Sequence, residues 1–174
     1  MNKMHRGRDL PFWLLVGWIL AAVSCNALFA EGIMSYEALY EWIRQGWQKS
    51  AQKDVWTVSR VILLHVTETA AELFVCRSQV RQIGIRVILF LYGWSLSACL
   101  VLMTWNSSLK GIWMFFLSGF PQEIFELLLI GSLCYRYGCH HTVRSRRFAA
   151  VISLLLCLRI AGELWINSLF IGKI

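Results

Sequence analysis

Proline is nearly missing from this chain, with two residues in 174. Neither a Pro-rich linker nor a disordered Pro-rich tail fits that count. Charge is scarce too. Only 16% of residues are Asp, Glu, Lys or Arg, against roughly a quarter in an ordinary soluble domain. The six cysteines contain no C-x-x-C pair and give no disulfide framework. There is no G-x-x-x-x-G-K-[ST], no G-x-S-x-G and no H-E-x-x-H. Those gaps remove the phosphate-binding loop, the nucleophile elbow and the zinc-peptidase helix as readings.

Apolar sequence fills the space. Hydrophobic residues make up 57% of the chain, and the mean hydropathy is +0.56. The expected fold is all-α: a single polytopic membrane domain over residues 1–174, with about five transmembrane helices and one outer amphipathic helix. The spans fall at 11–30, 55–76, 87–105, 111–135 and 148–171. Each is near the ~20 residues needed to cross a hydrocarbon core of ~30 Å. The first is long for a signal-peptide core and shows no A-x-A site before Glu31, so it reads as a retained helix.

Basic residues set the orientation. Lys3, Arg6, Arg8, Arg77, Arg81, Arg86, Arg136, Arg144, Arg146 and Arg147 fall on one side. Arg44, Lys49, Lys53, Lys110 and Lys173 fall on the other. The positive-inside rule makes the first side cytoplasmic. The expectation is a multi-pass protein of the cell membrane, N-terminus inside and C-terminus outside. The net charge of +7 is then mostly a topology signal. No nucleic-acid role is expected, because no basic segment is interleaved with aromatics on a polar domain.

Residues 35–48 carry a helical stripe. Tyr36, Leu39, Tyr40, Ile43 and Trp47 recur at i, i+3, i+4, i+7 and i+11, with Glu37, Glu41, Arg44 and Gln45 around the rest. Such a helix lies on the outer surface or docks on the bundle. It either covers the spans or binds a partner through Tyr36, Tyr40, Ile43 and Trp47.

Charges inside the spans need an account. His65, Glu68 and Glu72 stand at i, i+3 and i+7. Ser118, Gln122 and Glu126 step by four with Glu123 beside them, and so do Arg159, Glu163 and Asn167. Each set is a stripe on one helix face. Turned inward, the three make a polar seam, with Glu126 facing Arg159. An ionised side chain at the bilayer centre costs at least ~2.5–3.5 kcal/mol, so unpaired anions there need a partner, a proton or water. Pro121 cannot donate to the carbonyl of Leu117, and it favours the start of a helix. A break at Gly119–Pro121 would put Glu123 in a first turn, where the helix dipole favours a carboxylate.

No metal and no cofactor is expected. Cys134, Cys139, His140 and His141 cluster in a turn but offer no clear second ligand pair. His65 and Glu68 form H-x-x-E with Glu72 on the same face, yet an intramembrane metal hydrolase would need a second histidine there.

"FPQEIFELLLIG" resembles the signature of the stage II sporulation protein M family, with Pro121, Gln122, Ile124, Glu126 and Leu127 in place and Glu123 where a smaller residue is usual. The basic N-terminus, the span "LLVGWILAAVSCNALFA" and the closing "AGELWINSLF" are similar as well, although Ser168 stands where a proline is usual. The resemblance implies a non-catalytic integral membrane scaffold that holds peptidoglycan-remodelling hydrolases during engulfment in endospore formation. It implies membrane lipid and membrane-anchored cell-wall hydrolases as partners, and leaves homo-oligomer formation open. The alternative it carries is a membrane component of an ABC-type or cation/proton-coupled transport system.

Overall fold

The computed structural model describes residues 9–51, 54–105, 108–118, 120–138 and 145–166; most of these are helical, and none of them is in a strand. The helices are α1 (Leu10–Ala30), α2 (Tyr36–Ala51), α3 (Val55–Arg77), α4 (Arg81–Thr104), α5 (Ser108–Ser118), α6 (Phe120–Leu133) and α7 (Ser145–Ala161). One π-helical turn, Cys134–Gly138, follows α6, and another, Gly162–Ile166, follows α7.

Local chemistry explains several starts. Pro11 occupies the first turn of α1, where its missing N–H costs nothing. The Asp54 carboxylate caps α3 by accepting from the Thr57 N–H at 3.1 Å.

Among the described residues, three helices are long and apolar enough to cross a membrane: Leu10–Ala30, Arg81–Thr104 and Arg146–Trp165. Five spans were expected from the sequence, and two of them differ here. Helix α3 has 23 residues, so length is no obstacle, but Arg60, His65, Glu68 and Glu72 dilute its hydropathy. Segment 111–135 is described as α5, with 11 residues, and α6, with 14, on either side of residue 119, which lies outside the described residues. The expected break at Gly119–Pro121 falls at that residue, and Pro121 lies in the first turn of the described part of α6.

Helix α3 is built inside out. Its buried face is Val61, His65, Thr69, Glu72 and Cys76. Its exposed face includes Ile62, Leu63, Leu64, Val66 and Phe74. A helix of a water-soluble bundle has the opposite pattern. Thr67, on the exposed side, satisfies its hydroxyl by donating to the Leu63 carbonyl at 2.8 Å.

Helices α1 and α4 form the most extensive helix pair. Gly17 and Ala21 of α1 meet Gly93 and Ser97 of α4, all buried, in a small-xxx-small pattern on both helices. A Cβ at Gly17 would collide with the Phe90 carbonyl, and one at Gly93 with the Leu14 carbonyl.

Two apolar clusters lie at opposite ends. The larger joins Cys76, Ile85, Leu89, Leu129, Leu133, Phe148 and Ile152 across α3, α4, α6 and α7. The smaller joins Phe29, Val101 and Leu102, and α2 docks on it through Tyr36 and Leu39. Tyr36 meets Phe29 edge-on at 6.1 Å and stacks on Tyr40 at 5.6 Å between ring centroids. Burial, and then the neighbouring Tyr40, hold the Tyr36 hydroxyl above its ordinary pKa. So part of the stripe seen in the sequence covers the spans, and Tyr36 is turned inward. The side chains of Ile43 and Trp47 lie outside the described ones.

Candidate functional site

Between the two apolar clusters sits a polar centre. Arg159, near the end of α7, is 5% exposed. Its Nη2 lies 3.0 Å from Glu68 Oε2 on α3 and 2.7 Å from Glu126 Oε2 on α6. One guanidinium thus ties three helices, as a rigid planar fork can. The contact between Glu126 and Arg159 is the one their stripes suggested.

His65 is 4% exposed and makes the second bridge. Its Nε2 pairs with Glu163 in the π-turn that follows α7. Its Nδ1 stands 3.7 Å from Glu68, beyond hydrogen-bond reach, and has no hydrogen-bond partner. Glu68 therefore stands beside both Arg159 and His65. The π-turn carries Glu163 on from Arg159, and such turns recur at functional sites.

Helix α4 joins through Tyr92, whose hydroxyl donates to the backbone carbonyl of Glu123 at 2.9 Å. Glu72 is 8% exposed, and its Oε2 has no hydrogen-bond partner. It lines a cavity of about 510 Å³ together with Glu68, Gln122, Glu123, Glu126 and Arg159.

Most of the sequence-read seam is therefore in one place: His65, Glu68, Glu72, Gln122, Glu123, Glu126, Arg159 and Glu163. The Pro121 side chain is not among the described ones, and Asn167 and the Cys139–His140–His141 turn lie outside the described residues. Arg60, counted with the intramembrane charges by position, is exposed. Among the described residues no group of three His, Cys, Asp or Glu side chains is placed to hold a metal ion.

Sequence reasoning missed a second cluster at the other end of α3. Arg136, in the first π-turn, lies over the Phe148 ring at 4.2 Å, and Tyr137 meets that ring edge-on at 5.9 Å. Arg77 donates to the Tyr137 hydroxyl at 3.3 Å. The residues of this cluster belong to separate elements, α3, α7 and the first π-turn, which no periodicity within one helix exposes. Tyr92 was missed too, since its neighbours on α4 are apolar.

No family model, curated protein or solved structure matches the chain.

Proposed function

We propose that this chain is a multi-pass integral membrane scaffold, without catalysis of its own, that holds cell-wall hydrolases at the membrane during peptidoglycan remodelling of the kind seen in endospore engulfment. The observation that carries this reading is the bridging of Arg159 and His65. Arg159 joins carboxylates of α3 and α6 to α7, and His65 of α3 pairs with Glu163 in the turn after α7, which is what a device for fixing helices against one another requires. Polar side chains do join membrane helices in this way, at ~0.6 kcal/mol per bond on average. The resemblance of "FPQEIFELLLIG" to the sporulation family supplies the biological setting.

The scaffold has five crossings in this reading. Helix α3 crosses with His65, Thr69 and Glu72 turned inward and Ile62, Leu63, Leu64, Val66 and Phe74 outward, an arrangement ionisable residues adopt in membranes. Helices α5 and α6 cross together, since their 11 and 14 residues jointly exceed the ~20 that a crossing needs. The N-terminus is then cytoplasmic and the C-terminus outside. Alkaline phosphatase fused after Lys173 should be active and a fluorescent protein at that site dark; the reverse result rules out this topology.

The hydrolases work outside the cytoplasm, so α2 is the natural contact. Tyr40, Ile43 and Trp47 lie along the stripe beyond the docked Tyr36. Aromatic residues commonly anchor interfaces. Replacing the three by alanine should remove co-purification of hydrolases from a sporulating cell and leave membrane insertion intact, because no span is altered. Undiminished co-purification would reject α2 as the contact. A transport component is the second reading, favoured by the excess of carboxylates around the cavity. Recovery of an ATPase subunit in place of hydrolases would select it.

A further inference from the structure

The cavity between α3 and α4 is unlike the ion-paired hub beside it. Four carboxylates line it, from Glu68, Glu72, Glu123 and Glu126, against the single guanidinium of Arg159. That guanidinium already reaches Glu68 and Glu126 through Nη2. Glu72 is more than nine-tenths buried and keeps an oxygen with no donor. Burying a polar group without a hydrogen bond is costly, and a carboxylate most of all. The site therefore calls for a donor-rich group of positive charge.

The shape narrows the choice. A volume of about 510 Å³ lies within the range of small-molecule sites, ~300–1,000 Å³, and far exceeds one ion. Val75, Ile88 and Ile130 supply an apolar part of the wall, and Tyr92, Ser95 and Gln122 add polar groups. Ala71 and Leu91 line the cavity and are exposed, so it opens between α3 and α4. The metal-ion alternative lacks its ligand geometry, since no three ligating side chains converge among the described residues.

We propose that this cavity binds a primary alkylammonium group, its head hydrogen-bonded to Glu72 and its alkyl body against Val75, Ile88 and Ile130. A primary ammonium has three donors and no acceptor, which suits the four carboxylates among the residues lining the cavity. The amine can come from a free small molecule or from the headgroup of an ethanolamine lipid entering between α3 and α4.

The test uses the full chain in phosphatidylcholine nanodiscs at neutral pH, titrated calorimetrically with n-hexylammonium chloride. Saturable one-to-one binding is expected, absent with hexanol and not reproduced by sodium chloride. Glu72→Gln keeps the shape and removes the charge, and should weaken binding about 10- to 100-fold, the range for a hydrogen bond to a charged group. Exchanging a share of the lipid for phosphatidylethanolamine separates the sources: competition assigns the lipid headgroup, and unchanged affinity assigns a free amine. No saturable binding, an equal response to hexanol or sodium, or an unchanged isotherm in Glu72→Gln would overturn the proposal. If Glu72→Gln does not fold, Ala71→Phe fills the cavity from its rim, and binding retained in that variant would overturn it equally.

Discussion

Arg159→Gln should lower the stability of the folded chain by roughly 3–5 kcal/mol, the cost of breaking a buried pair by removing one partner. The reason is what stays behind. Glu126 keeps its carboxylate on α6, with its side chain 12% exposed, and loses the cation 2.7 Å away. Glu68 loses a partner too, but its side chain is 43% exposed and water can replace part of the contact. The asymmetry makes a sharper forecast. Adding Glu126→Gln to Arg159→Gln should restore a good part of the loss, because the stranded charge goes with it. Adding Glu68→Gln should restore less. Unfolding in detergent micelles with a graded denaturant reads these three variants and the Glu126→Gln single change against the unaltered chain. If Arg159→Gln with Glu126→Gln is as unstable as the two single changes added together, the pair is not energetically coupled and the hub is the wrong description.

That hub was legible because its spacing is local. His65, Glu68 and Glu72 share a face of any helix that contains them, and so do Arg159 and Glu163. Since the exposed remainder of α3 is apolar, the polar stripes have one place to turn, toward each other. The outer stripe was legible as a helix for the same reason, but periodicity has no sign. It could not say that Tyr36 and Leu39 turn toward Phe29, Val101 and Leu102 and not toward a partner. The cavity was not legible at all. It exists because Ile88, Leu91, Tyr92 and Ser95 of α4 face Glu68, Ala71, Glu72 and Val75 of α3, a register fixed by packing between two helices.

The α1–α4 contact is the part of the fold for which a signal was present and carries the second large effect. Gly17 with Ala21, and Gly93 with Ser97, put small residues four apart on two apolar helices. The approach is reciprocal. Gly17 sits against the Phe90 carbonyl and Gly93 against the Leu14 carbonyl, and Trp94 N and Trp18 N would stand only 3.1 and 3.2 Å from the added Cβ atoms. These neighbours are backbone and cannot swing away as a side chain can. Gly93→Ala should therefore destabilise the chain by about 1–3 kcal/mol, the cost of overpacking, although alanine is the better helix former by about 1 kcal/mol. Gly17→Ala should behave alike. The two together should cost clearly less than their sum: once α1 and α4 have separated to admit one methyl, the second enters a gap already opened. Gly131→Ala is the internal control, because a Cβ there meets nothing within 4 Å and only the helix preference remains. The same micelle unfolding experiment compares them. If Gly93→Ala is as harmless as Gly131→Ala, α1 and α4 are not in backbone contact and the register that places Tyr92 beside α6 must be sought in another pair of helices.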